Sequence, residues 1–248
     1  MAMMETKKVR MDFTDRAVDA AATLAVATLV FIALEAVIKR HVTCATELVR
    51  AMPRYTYWIG IGVEGLYPFL VVGAVSSFDG DMVEWLDAPW SAAAPVTRAL
   101  PGVSYELLFV GIFFANMVCQ PLTCVPLSGE ILLHHAAGAL TAMITLCMER
   151  GFTCFVLGVG ILEVGSLVCN VADLWPTPAH FALLRPIMTL SNLLGIAVAW
   201  HMVPLNEYDA ASLFMFGSAL GLCFFRQKAT MLLCRNELSR AERVRTRE

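Results

Sequence analysis

The stretch that decides the fold is Phe152–Leu174, which reads FTCFVLGVGILEVGSLVCNVADL. It is long enough to cross the ~30 Å hydrocarbon core of a membrane as an α-helix, which takes about 20 residues. Beyond its first turn, its polar side chains are Glu163, Ser166, Asn170 and Asp173. Because offsets of 3, 7 and 10 residues return to one side of a helix, these four share a face. The stretch therefore predicts a membrane helix whose polar face is turned away from lipid.

The rest of the chain has the composition of a multi-pass membrane protein. Of its 248 residues, 58% are hydrophobic and 16% are charged, whereas an average soluble domain carries roughly 25% charged residues. That makes about 144 apolar residues, and seven spans need roughly 140. The net charge of −3, without a basic domain, excludes a nucleic-acid-binding protein. Continuous apolar runs argue against a transmembrane β-barrel, whose strands alternate in hydrophobicity.

We predict an all-α, polytopic bundle of about seven membrane-spanning helices, within a range of six to eight. The six other predicted spans are Ala17–Ile38, Tyr55–Ser76, Val103–Val125, Leu127–Met148, Pro186–Pro204 and Ala211 to about Leu233. Pro121 and Pro126 could divide the third span into two half-helices. Residues 1–16 form a polar N-terminal segment, residues 17–234 the bundle, and residues 235–248 a charged tail that we expect to fray.

The loops predict how the bundle sits in the membrane. The longest loop joins the second and third spans, and its Trp85 and Trp90 suggest that it rests on the membrane surface. Cytoplasmic loops carry an excess of Lys and Arg. With the C-terminus inside, twelve basic residues fall on the inner side, Arg226 among them, and six on the outer side. We therefore predict an outer N-terminus and an inner C-terminus.

Polar side chains in the other spans are expected to face the bundle interior, because lipid does not satisfy them. His134 follows Glu130 by four residues, close enough for the carboxylate to orient the imidazole. The adjacent His135 points about 100° away, so we expect one ring in a cavity and the other against a neighbouring helix. The cavity-lining candidates are His134, His135, Glu163, Asn170, Ser166, Glu64, Asn116 and Gln120. Interhelical hydrogen bonding is the alternative for Ser166 and Asn170.

No cofactor and no metal site are expected. The eight cysteines lack CxxC spacing, which argues against a zinc or iron–sulfur site. A bis-histidine haem needs ligands at matching depth, whereas His41, His180 and His201 lie at span ends. A retinal pigment needs a lysine in the middle of the last span, and Lys228 lies toward the inner end of that span.

Two segments together resemble the TLC-domain family of membrane proteins. These are the pair His134-His135 in a middle span and Glu163-Val-Gly-Ser166-Leu-Val-Cys-Asn170 in the next span. The family groups TRAM proteins, ceramide synthases and TLC-domain-containing lipid regulators, and the resemblance covers residues from about 50 to 234. It implies a TLC-like core, membrane lipids as partners, and endoplasmic reticulum or Golgi membranes. The acid-containing basic N-terminus leaves the mitochondrial inner membrane open.

The chain departs from the family pattern at two places, which makes it similar to a divergent non-synthase member. Ceramide synthases carry a His-Asp followed by a Ser-Asp after the histidine pair, whereas residues 152–162 here are apolar and glycine-rich. Non-synthase members usually have a Pro between the Ser and the Asn, and an Arg-Trp pair after the Asn. Here Leu167-Val168 and Asp173 stand at those positions.

The sequence leads to one functional hypothesis and two alternatives. The resemblance implies a protein that handles or regulates a phospholipid or sphingolipid through a polar-lined intramembrane cavity. The first alternative is a non-catalytic accessory subunit that binds other membrane subunits of a larger complex. The second is an acyl-CoA-dependent acyltransferase in which a histidine acts as general base. The missing synthase motif favours a protein without catalytic activity and leaves the question of catalysis open.

Overall fold

The computed structural model describes residues 13–42, 44, 46–50, 52–97, 100–123 and 128–245, and Pro126 and most of the predicted N-terminal segment fall outside them. The helices are α1 (Phe13–His41), α2 (Arg54–Ser77), α3 (Met82–Asp87), α4 (Tyr105–Thr123), α5 (Gly129–Cys147), α6 (Phe152–Leu174), α7 (Pro178–Leu205) and α8 (Ala210–Arg245). Two small antiparallel hairpins lie between helices, one between α1 and α2 and the other between α3 and α4. The first pairs β1 (Leu48–Val49) with β2 (Met52–Pro53), and the second pairs β3 (Pro95–Thr97) with β4 (Leu100–Ser104).

The predicted all-α bundle of seven spans is confirmed, because seven of the described helices are long and apolar enough to cross a membrane. One difference from the sequence prediction concerns the sixth span, which begins at Pro178 and not at Pro186. Pro178 lies in the first turn, where its missing N–H costs nothing, and Thr177 Oγ1 caps the helix by accepting from His180 N at 3.2 Å. Pro186 is accommodated inside the helix.

The third and seventh spans also differ from the sequence prediction. Over its described length α4 is one helix that contains Pro121, so the expected division into half-helices is not observed there. The α8 helix continues to Arg245, so the expectation that the tail frays is wrong for residues 235–245. Arg226 follows Ala210 by sixteen residues, which is about 24 Å along the helix at 1.5 Å per residue. It therefore lies at membrane depth and should not be counted among the basic residues of the inner side.

Six helices pack side by side in a ring in the order α2, α4, α5, α8, α7, α6, and α1 packs outside the ring against α4. The α6 helix is among the most buried spans and lies between α2 and α7. Tyr67 on α2 packs against Phe109 and Phe113 on α4, with ring centroids 4.6 and 6.4 Å apart. The thinnest junction of the ring is between α5 and α8, which touch only locally.

The two ends of the ring differ in how they are tied together. One end, called the loop end below, holds α3 and the turn between α5 and α6, where Trp90 N donates to Glu149 O at 3.2 Å. The other end, called the tail end, holds the β1–β2 hairpin and the last turns of α8. There Arg50 joins two helices, with Nε 2.6 Å from Asp173 Oδ1 and Nη2 3.0 Å from Glu237 Oε1.

The loop between α2 and α4 packs its two tryptophans into the protein, so they are not the membrane-surface residues that the sequence suggested. Trp85 is 1% exposed and donates Nε1–H to Glu106 Oε1 at 3.1 Å. Trp90 stacks on Phe152 with ring centroids 4.5 Å apart and planes 7° from parallel. The buried Glu106 carboxylate at the start of α4 needs a hydrogen-bond donor, and the Trp85 indole supplies it.

Candidate functional site

All eight polar residues chosen from the sequence line one cavity inside the helix ring, with a volume of about 290 Å³. They come from α2 and from the three consecutive helices α4, α5 and α6, and α7 and α8 complete the wall. Glu163 is only 5% exposed and shares the cavity with both histidines of α5. The predicted placement of Glu163, inside the bundle and beside the histidine span, is confirmed.

The two carboxylates of the cavity have different partners. Asn170 Nδ2 lies 2.8 Å from both carboxylate oxygens of Glu64, so α6 donates to α2 across the cavity wall. Gly60 makes this approach possible, because a Cβ at that position would lie 2.6 Å from Asn170 Nδ2. Glu163 accepts a hydrogen bond from Ser166, three residues further along its own helix. Asn170 thus joins two helices as well as lining the cavity.

The two histidines make different contacts, although both line the cavity and not one alone as the sequence predicts. His135 is buried, and its Nδ1 lies 3.1 Å from Met117 O on α4. Because a carbonyl oxygen only accepts, this contact fixes the proton on Nδ1. The His134 ring stands at 90° to it with centroids 5.5 Å apart, and its side chain faces the cavity. Glu130 is exposed at the start of α5 and makes no hydrogen bond to His134 in the described chain, so its predicted orienting role is wrong.

The α4 wall of the cavity is an amide pair. Asn116 is 3% exposed, and its Oδ1 accepts from Gln120 Nε2 at 3.0 Å. These side chains are one turn apart, as their spacing predicts. Asp173, the last member of the polar face of α6, lies instead at the tail end in its ion pair with Arg50. The polar face of α6 therefore serves the cavity along most of its length and an ion-pair network at its end.

The sequence did not single out Arg226, the one arginine or lysine among the side chains that line the cavity. Its Nη2 donates to Leu162 O at 2.6 Å and lies 3.4 Å from Met188 Sδ. The guanidinium lines the same cavity as Glu64, Glu163 and His134. The available signal was the length of the last apolar segment, which places Arg226 inside the span and not at its end.

Tyr67 is the second residue that the sequence did not single out. It is fully buried, and its hydroxyl has no hydrogen-bond partner among the described residues. Its position three residues after Glu64 puts both side chains on one face of α2. An unpaired buried hydroxyl is costly, so this region of the bundle holds unused hydrogen-bonding capacity.

A second, apolar cavity of about 70 Å³ adjoins the first. Its walls are mainly apolar, with Phe113, Phe155, Leu162, Met202 and Met215 among them. The side chains that belong to both cavities are His134, Glu163 and Arg226. The charged and imidazole groups therefore lie at a boundary between a polar and an apolar chamber.

No described group of three or more His, Cys, Asp or Glu side chains is arranged as metal ligands. Comparison of the chain with family models, with curated proteins and with solved structures finds no match. The TLC resemblance therefore stays a prediction from two segments of the sequence.

Proposed function

We propose that this multi-pass membrane protein binds a membrane phospholipid or sphingolipid in its intramembrane cavity, as a divergent, non-synthase relative of the TLC-domain family. The observation that carries the proposal is the joining of a polar chamber and an apolar chamber at Glu163, His134 and Arg226. A lipid is amphipathic in the same sense, with a polar head group next to hydrocarbon. The TLC resemblance further supports endoplasmic reticulum or Golgi membranes as the location.

The size of the chambers fits a head group and the first part of its chains. At about 290 Å³ the polar chamber is near the lower limit of the roughly 300–1,000 Å³ typical of small-molecule sites. Whole acyl chains do not fit in the remaining 70 Å³. They would extend from the cavity into the bilayer, where contact with hydrocarbon satisfies them.

We place the exit of the chains at the junction of α5 and α8, because it is the thinnest junction of the ring. Near the loop end the two helices touch, with Thr145 Oγ1 3.7 Å from Met215 Sδ. Toward the tail end, Ile131 of α5 and Thr230 of α8 both line the polar chamber. A bundle that is joined at one end and lined by cavity at the other is suited to lateral entry of a lipid.

Native mass spectrometry of the protein extracted in mild detergent tests the proposal. Wild-type protein is expected to retain lipid, and Ser166→Phe, which fills the polar chamber, is expected to lose it. Val164→Phe is the matched control, because Val164 lies two residues away on α6 and is 37% exposed on the outside of the bundle. Loss of lipid in both variants, or in neither, would contradict the proposal.

An acyltransferase is the second candidate, and one observation favours it. His134 and Arg226 line the same cavity, so a general base and a cation able to bind a developing oxyanion lie in one chamber. Acyl-CoA-dependent product formation by the purified protein is the test. The accessory-subunit alternative predicts instead that the protein migrates with a large assembly on native gels.

A further inference from the structure

The geometry points to the head group itself: we propose that the cavity binds a zwitterionic phospholipid head group, with its phosphate on Arg226 and its ammonium on Glu163. This inference rests on the proposed lipid-binding function and adds the charge of the ligand. It follows from two oppositely charged side chains, Arg226 and Glu163, that line one cavity without forming an ion pair with each other.

Part of the Arg226 guanidinium is free to donate hydrogen bonds to a ligand. Nη2 is engaged by Leu162 O at 2.6 Å, which anchors the side chain against α6. Nε and Nη1 have no hydrogen-bond partner among the described residues. The anchoring requires Gly165, because a Cβ there would lie 3.0 Å from Arg226 Nη2 and 2.5 Å from Ser191 Oγ. The guanidinium is thus held in place with its other nitrogens available to an anion, and guanidinium nitrogens match phosphate oxygens in geometry.

Glu163 is the carboxylate left for a cation. Glu64 already receives Asn170 Nδ2 at 2.8 Å on both of its oxygens. Glu163 has only the Ser166 hydroxyl of its own helix, and in the described chain it forms no ion pair with Arg226. A carboxylate and a guanidinium that face one low-dielectric cavity without touching are each incompletely compensated. A ligand that carries both charges compensates both.

The same arrangement discriminates against ligands that carry one charge. A head group with phosphate alone satisfies Arg226 but places negative charge beside Glu163 and Glu64. A head group with an ammonium alone satisfies Glu163 but leaves Arg226 uncompensated. Specificity of this kind comes as much from the unpaired charge left by the wrong ligand as from contacts with the right one.

Competition for the detergent-purified, full-length protein tests the inference. The protein is mixed with dioleoyl-phosphatidylethanolamine, dioleoyl-phosphatidic acid, dioleoyl-phosphatidylglycerol and sphinganine at equal concentrations, and bound ligands are identified by native mass spectrometry. We expect the ethanolamine lipid to be retained about tenfold or more over the others, which corresponds to one charge-assisted contact. In Glu163→Gln this preference over phosphatidic acid disappears, and in Arg226→Gln retention of every phosphate-bearing lipid falls.

The outcomes separate the inference from the proposed function. Lipid retained without head-group preference, or phosphatidic acid, phosphatidylglycerol or sphinganine preferred, overturns the inference and leaves lipid binding standing. No lipid retained above the Ser166→Phe protein overturns both. If a variant does not fold, as judged by its thermal melt, the preference of the wild-type protein alone still decides the matter.

Discussion

Replacing Asn170 by Ala removes the strongest polar link that the structure shows between α2 and α6. Asn170 Nδ2 lies 2.8 Å from both carboxylate oxygens of Glu64, which is 5% exposed. Hydrogen bonds to charged groups are worth about 1.5–3 kcal/mol, and a buried acceptor left without a donor adds a desolvation cost. We therefore expect Asn170→Ala to lower the free energy of unfolding by about 2–3 kcal/mol.

Asn192 provides the matched control, because it joins α7 and α8 through uncharged partners. Its Nδ2 lies 3.0 Å from Gln227 Oε1 and 3.4 Å from Cys223 O. Interhelical hydrogen bonds between neutral groups in membranes average about 0.6 kcal/mol. Asn192→Ala is accordingly expected to cost about 1 kcal/mol or less.

The assay is reversible unfolding in mixed micelles with increasing sodium dodecyl sulfate, followed by far-ultraviolet circular dichroism. A double-mutant cycle with Glu64→Gln isolates the charge. In the Glu64→Gln background, the cost of Asn170→Ala should fall to about that of the Asn192 control. Equal costs for Asn170→Ala and Asn192→Ala in the wild-type background would refute the reasoning that Asn170 stabilises a buried charge.

Glu163→Leu is expected to leave the unfolding midpoint unchanged or to raise it, because a desolvated charge is removed. Native mass spectrometry should show that the preference for the zwitterionic lipid is lost. A lowered midpoint would contradict this prediction. A glycosylation acceptor appended after Glu248 through a flexible linker is expected to stay unmodified in an endomembrane system. Once Arg226 is assigned to the bundle, eleven basic residues remain on the predicted inner side and six on the outer side. Efficient modification would show that the predicted orientation is wrong. Purified protein incubated with sphinganine and acyl-CoA is expected to make no ceramide. The reason is that residues 152–162 are apolar and glycine-rich where the synthases have His-Asp and Ser-Asp. Turnover that vanishes in His134→Ala would contradict this prediction and favour the acyltransferase candidate.

The membrane helices and their interior faces could be predicted because lipid imposes a simple rule. A polar side chain at membrane depth must be satisfied inside the protein, so Glu64, Glu163 and His135 point inward whatever the details of the fold. The same rule made the residues of the cavity recognisable as a set. It did not say which of them would bond each other, and the pair Asn170–Glu64 depends on the packing of α2 on α6 at Gly60.

Arg226 and the aromatic loop could not be predicted by that rule. A basic residue near the end of a long apolar segment is compatible with a position in an inner loop and with a buried position inside the span. Only the length of α8 decides between the two positions. Trp85 and Trp90 are equally suited to a membrane interface and to a core. Their burial depends on Glu106 and Phe152, partners that lie far apart in the sequence.

The central claim, that the cavity bounded by Glu163, His134 and Arg226 holds a lipid, is tested most directly by a high-resolution density map of the protein in nanodiscs made from its host membrane lipids. We expect elongated density that begins at the Arg226 guanidinium and leaves the bundle between α5 and α8. A polar chamber that contains only separate water-sized peaks, or that is closed by direct contact of Arg226 with Glu163, would contradict it.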